Sequence, residues 1–556
     1  MKNIRLNFKN WAKSAALILG LSVAVSCDGY LDEEVISRIG NDYLNTPKGL
    51  EDGVNAAYSS MRIWYGTERG NNFTIFGTDT YTNGADGSWK FMNQYTNQFD
   101  SQNGHARELW DELYRGINTC NAVLDRSVEI AGVPAATLAQ RRAEAKFIRA
   151  HHYFLLVQLF GPVDLQLSEN VVPNRAVSRA PISEIYDAII TDLREAIPDL
   201  EAKAQSTNYG RATRPAAEHL LGKVYLTRAS TTAGSAADYA SAEPLFNNVI
   251  NNYGIKLLPD FADVYRNGNE INNEVIWSIQ YTRDPLTNGG GNNAHVFFLM
   301  EYDTQPGMQR DTENGRPFKR FRPTDYTLSV IFAERVNDSR YKKTFVDAFQ
   351  SNRPGNYNAS FDNSKTALTF AAGDTTIYLP GFNMSKEERA KRKYQVLIPS
   401  AYTEKLFPSM RKQMDPGRAD RTQFQGGRDY IAMRLAETYL NLAEAQFRQG
   451  KITEATATIN VIRRRAAFAG KQTAMEITPA QMTFEFLTEE RERELIGEQH
   501  RWLDLKRWGI LVERVKKYNP QGGPNIQDFH VLRPIPQNQI DRAEGGAASF
   551  PQNAGY

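Results

Sequence analysis

The chain has almost no cysteine. Of its 556 residues only Cys27 and Cys120 carry a thiol, which excludes a disulfide framework. Long hydrophobic runs are also missing. Ala15–Val25 is apolar but falls short of the roughly 18 or more residues that cross a bilayer as a helix, and no other segment approaches that length. Neither sign of charge dominates, since 66 Lys and Arg face 64 Asp and Glu for a net charge of +2. The two signs are interspersed and no polybasic tract follows residue 13, so nucleic acid and anionic membrane are poor candidates as partners.

Catalytic signatures are equally scarce. The sequence contains no HExxH, no Gly-x-Ser-x-Gly, no P-loop and no dinucleotide fingerprint, and no cofactor or metal is expected. His151 and His152 are adjacent on a helical stretch and cannot face one metal together. Asp79-Thr80-Tyr81-Thr82-Asn83-Gly84 starts like a calcium loop, but Tyr81 holds its third position and Lys90 stands where the bidentate Glu belongs. Glu490 and Glu494 are the one carboxylate pair worth weighing for glycoside hydrolysis. They sit one turn apart on a single arginine-rich helix, whereas that reaction needs carboxyls on opposite sides of the scissile bond. No enzyme is expected.

What is present begins at the first residues. Lys2, Arg5, Lys9 and Lys13 precede the apolar run, which ends Ala24-Val25-Ser26-Cys27. This is similar to a bacterial lipobox, with Ala24 in place of the usual Leu, so residues 1–26 are expected to be a lipoprotein signal peptide and Cys27 the acylated first residue of the mature chain. Lipid on Cys27 is then the only anchor. Leu109, Leu113, Ile117, Cys120 and Leu124 recur at helical spacing, which makes Cys120 a buried small hydrophobe.

Helical periodicity fills two blocks, about 105–253 and about 430–518. The first predicts helices over 106–125, 138–160, 182–197, 215–229 and 239–251. The second predicts them over 432–449, 452–469, 484–497 and 501–516. Leu221-Gly222-Lys223-Val224-Tyr225 matches the Leu-Gly-x-x-Tyr element of tetratricopeptide repeats, and Leu435, Tyr439 and Ala443 give a looser copy. The expected fold is therefore mostly α, a superhelical scaffold of helix pairs with a few short strands, the latter over 274–281, 295–300 and 375–379.

Residues 66–104 and 254–429 read differently: turn-rich, polar and aromatic, as ligand-presenting loops on that scaffold. The chain holds 26 Tyr, 28 Phe and 7 Trp. Tyr81, Trp89, Phe91 and Tyr95 lie among Gly, Asn, Thr and Asp, the mixture of flat rings and amides that holds a sugar. Phe298, Tyr302 and Phe318, with Arg316, form a second candidate set. Trp89 is the sharpest of these, because no periodic pattern buries it. Trp502 and Trp508 read instead as packing residues, and the Glu489–Arg493 pair as a one-turn ion pair.

Five segments resemble the SusD/RagB family: Arg141–Val163, Asn273–Tyr281, Tyr430–Ala466, Leu487–Gly509 and His530–Tyr556, the last containing LRPIPQNQID and the terminal FPQNAGY. The resemblance implies a single SusD-like domain over 27–556, lipid-anchored in the outer membrane of Bacteroidota and exposed at the cell surface. It further implies a lid on a SusC-like TonB-dependent transporter that captures glycans, or peptides in some branches, without catalysis. A purely structural partner of the transporter is the remaining alternative.

Overall fold

The computed structural model describes residues 41–556 apart from 129 and 204–207; Cys27 and the signal-peptide reading lie outside the described residues. The first block folds as α1 (Pro47–Ser60), a short α2 (Glu68–Thr74), α3 (Gly104–Arg126), α4 (Ala135–Phe160), α5 (Ile182–Ala196), α6 (Arg214–Arg228) and α7 (Ala237–Asn252). The second gives α8 (Leu435–Arg448), α9 (Ile452–Ala466), α10 (Phe484–Leu495), α11 (Arg501–Arg507) and α12 (Leu511–Tyr518). Local chemistry sets their ends. Thr46 and Asn103 cap α1 and α3 by accepting the Gly49 and Ala106 N–H groups, and Pro47 opens α1. Leu109, Leu113, Ile117 and Cys120 of α3 are fully buried, and burial pushes the Cys120 thiol up to about 12, so it packs as a hydrophobe.

The two blocks are one array. From α3 to α9 each helix packs on the next, and α7 lies against α8 although the intervening chain runs for more than 180 residues. Gly222 shows why glycine belongs in the repeat-like element. A Cβ there would lie 2.5 Å from the Phe246 ring of α7, so the α6–α7 pair closes only over a residue without a side chain.

The middle segment leaves and rejoins this array through an antiparallel clasp. Strand β2 (Val275–Ile279) pairs with β9 (Tyr430–Arg434), Ile279 opposite Tyr430 and Val275 opposite Arg434. Residues 430–434 were expected partly as helix; they are extended because they pair with β2. Three further sheets are small: β1 (Tyr81–Asn83) with β3 (Phe321–Pro323), β4 (Ala348–Gln350) with β7 (Thr375–Tyr378) and β8 (Gln395–Val396), and the hairpin of β5 (Gly355–Asn358) and β6 (Ala367–Phe370). The strand expected over 295–300 is instead a helical turn, Ala294–Phe297. The helix expected over 501–516 breaks at Gly509, whose φ is +74°.

Helix α10 ties these parts together with buried charge. Glu490 and Glu494 are fully buried. Glu490 pairs with Arg340, Arg463 and Arg493, and Glu494 with Arg340, Arg434 and Arg465. Arg434 also reaches Glu274 and Glu498. One cluster thus joins α9, α10, the Val275–Arg434 end of the clasp and the middle segment. Burial alone would raise both carboxyls, but the guanidiniums outweigh it and hold them below their usual range. Neither is free to act as an acid. Glu489 and Arg493 form the expected pair at 2.8 Å. Trp502 and Trp508 are buried, Trp502 under the Arg533 guanidinium at 3.8 Å and Trp508 donating its N–H to Glu444 at 2.8 Å.

Candidate functional site

The β1–β3 pairing brings the two aromatic segments together. Tyr81 faces Pro323 and Asn83 faces Phe321 across the ladder. Beyond it the Gly84 and Asp86 N–H groups donate to the Arg320 and Lys319 carbonyls. The loop carrying Trp89 therefore runs beside the stretch Arg316–Arg320, although more than 200 residues separate them.

Trp89 is half-buried and has φ +62°, a left-handed conformation that costs a side-chain-bearing residue of order 1–2 kcal/mol. Its contacts hold it there. The indole stacks on His105, the second residue of α3, with ring centroids 3.4 Å apart and planes 24° apart, and Phe91 lies 5.7 Å away. Burial, then the charges of Arg69 and Arg320, pull the His105 imidazole down to about 3, so it is neutral. One Trp89 face is thus covered by the protein. The other candidate of this segment, Phe91, is also half-buried.

Phe318 is half-buried with the Arg316 guanidinium 5.5 Å above its ring, and Arg316 is itself fixed by donating to the Thr422 carbonyl. A chain of contacts joins it to Trp89. Phe318 lies 6.2 Å from Phe297, Arg320 sits 4.8 Å over Phe297 and pairs with Glu68, and Glu68 lies 3.9 Å from His105 beneath Trp89. Charged pairs border this ridge: Arg69–Glu108, Lys319–Glu301 at 3.0 Å and Lys90–Glu404 at 3.3 Å. Burial would raise Asp86, but Arg320 beside it at 2.8 Å keeps its carboxyl low and charged. Glu68, Arg69, His105 and Glu404 carry no motif or periodic pattern that would mark them, since what brings them together is contact between separate segments.

Four expected ligand residues are packing residues instead. Tyr81 and Phe298 are buried against each other at 5.4 Å and both meet Phe321. Tyr95 is buried, donates its hydroxyl to the Gly77 carbonyl and accepts from Trp502. Tyr302 is fully buried, stacked on Phe349 at 5.2 Å with its hydroxyl on the Gly315 carbonyl. None of these rings offers a face to a ligand. Asp79, the start of the calcium-like run, is fully buried and held by Arg501 at 2.6 Å and Arg514 at 3.0 Å. Its carboxylate is already neutralised. No described helix is long and apolar enough to cross a membrane.

Residues 273–556 match the model of the SusD family, and residues 29–226 match a model described as starch-binding, associating with outer membrane. The chain is 25% identical to SusD-like protein P25 of Formosa agariphila, over 96% of this chain and 97% of that one. It is 26% identical to the starch-binding protein SusD of Bacteroides thetaiotaomicron, over 79% of this chain and 76% of that protein. Among solved structures it shares the fold of a laminarin-binding SusD-like protein, with a TM-score of 0.66 at 21% identity, covering 92% of this chain and all of that one. Surface glycan-binding protein A from Bacteroides fluxus gives 0.68 at 20% identity, again over 92% of this chain and all of that one. With the SusD model matching over half of its length, the chain belongs to the SusD family.

Proposed function

We propose that this protein captures an oligo- or polysaccharide at the outer-membrane surface, anchored by lipid on Cys27, and passes it unchanged to a SusC-like TonB-dependent transporter. The observation that carries this reading is the ridge from Trp89 to Phe318. Two half-buried aromatic rings from distant segments are joined by a fixed chain of contacts through the buried Phe297, Arg320 and His105, and charged pairs flank both ends. Aromatic faces cover the apolar face of a sugar ring, and carboxylates and guanidiniums at its edge take the hydroxyls. The names of the relatives, starch-binding, laminarin-binding and surface glycan-binding, support the same ligand class. Catalysis is disfavoured because Glu490 and Glu494 are saturated by arginines.

Isothermal titration of the mature protein against plant, host and microbial glycans tests the ligand class, and copurification with a SusC-like transporter from the native cells tests delivery. Binding of peptides alone would replace this reading with a peptide-binding lid. Copurification without any ligand would leave a structural partner of the transporter.

A further inference from the structure

A cleft of about 680 Å³ lies away from the ridge, within the roughly 300–1,000 Å³ of small-molecule sites. It opens between α3, the stretch 164–177 and the C-terminal stretch 539–550. These are fixed to one another: the Glu544 N–H donates to the Arg175 carbonyl at 2.7 Å, and the Gln539 amide donates to Asp111 at 2.8 Å. We infer that this cleft is a second carbohydrate-binding site, separate from the Trp89–Phe318 ridge.

Its floor is aromatic and rigid. The half-buried Tyr114 ring lies 5.1 Å from Trp110 at an angle of 31°, and Trp110 is backed edge-on by Phe160 at 5.0 Å and Phe550 at 6.2 Å. The Tyr114 hydroxyl donates to the Asp164 carbonyl at 2.7 Å, so the ring is held in place before any ligand arrives. Such preorganisation removes an ordering cost from binding.

Its walls carry the groups that read hydroxyls. Asp111 and Asp541 each accept one amide hydrogen bond, from Gln539 and Gln537, and each keeps one carboxylate oxygen without a partner among the described residues. Asn118 is oriented by the Asn170 N–H, which donates to its side-chain oxygen at 2.7 Å. Arg175 and Arg542 line the same cleft, and neither has a carboxylate partner among the described residues. Fixed acceptors, amides and guanidiniums around a flat ring suit a polyhydroxylated ring with an apolar face. A dry apolar ligand would strand these polar groups.

The two sites are distinct but share a helix. Trp89 stacks on His105 in the first turn of α3, and Asp111 is six residues further on, about 9 Å of helical rise away. Because the second site deepens the glycan reading, its test starts from protein with the ridge disabled by Trp89→Ala and Phe318→Ala. That protein, the wild type and two cleft variants are applied to an array of α- and β-linked gluco-, manno-, xylo- and galacto-oligosaccharides. One cleft variant combines Asp111→Ala with Asn118→Ala, and the other fills the cleft with Val177→Trp.

The ridge-disabled protein should keep binding at least one glycan. Adding either cleft variant should weaken that binding at least tenfold, with the melting temperature of each variant checked against wild type. Wild-type binding that vanishes entirely with the ridge overturns the second site and leaves the proposed function standing. Residual binding indifferent to both cleft variants also overturns it. A wild type that binds no glycan overturns both.

Discussion

Neutralising Glu494 probes the buried charge that joins the parts of the fold. Its carboxylate is fully buried and accepts from Arg434 at 2.7 Å, from Arg340 at 3.3 Å and from Arg465. Glu494→Gln keeps the volume and one acceptor oxygen but deletes the charge. Arg340 retains Asp338 and Glu490, Arg434 retains Glu274 and Glu498, and Arg465 retains Glu274. No guanidinium is left bare, so the loss should fall at the low end of the about 3–5 kcal/mol that follows from breaking a buried ion pair. Arg434→Met removes the partner common to Glu274, Glu494 and Glu498 and should cost more. Urea unfolding followed by tryptophan fluorescence reads both losses as shifts in midpoint. The same preparation, incubated with any bound glycan, should return it intact for wild type and variant alike. A Glu494→Gln midpoint unchanged from wild type would refute the structural role. Turnover by wild type that disappears in the variant would show that the carboxylate is catalytic.

Other perturbations test separate parts of the account. Cys27→Ala should release the protein in soluble form from cells lacking the transporter, because acyl chains on that residue are the expected anchor; fractionation that still finds it in the membrane contradicts the lipoprotein reading. Gly222→Val should destabilise the array by about 1–3 kcal/mol through overpacking against Phe246, and an unchanged melting temperature would contradict the close α6–α7 approach. Burial pulls the imidazoles of His500 and His530 down to about 4 and that of His105 down to about 3, from 6.5. The unfolded chain then takes up protons that the fold refuses, so stability is full above pH 6.5 and declines as pH falls from there towards 4. A melting temperature that is flat between pH 7.5 and 4.5 would contradict that burial.

The helices were legible because their apolar residues repeat at helical spacing and the longer ones are bounded by caps, proline or glycine. Gly222 was legible too, since the repeat element states where two helices touch. Extended structure was harder to read. Tyr430–Arg434 looks like the first turn of α8, and only its pairing with β2, 150 residues upstream, makes it a strand. The same limit divides the candidate site. Trp89 and Tyr95 share one polar, turn-rich stretch, yet Tyr95 is buried by Trp502 and Gly77 while Trp89 remains half-buried. Tyr302 is taken into a core by Phe349 in the same way. Local composition marks a segment as aromatic, but partners from other segments decide which ring faces solvent.

The central claim is that the ridge from Trp89 to Phe318 binds glycan, and calorimetric titration of a glycan found to bind the mature protein tests it most directly. Trp89→Ala and Phe318→Ala should each weaken binding of that glycan by about 2 kcal/mol or more, as central aromatic anchors do. The melting temperature should fall only slightly, because the helical array carries the core. Full wild-type affinity in both variants would contradict the claim, as would losses of affinity that merely track losses of folded protein.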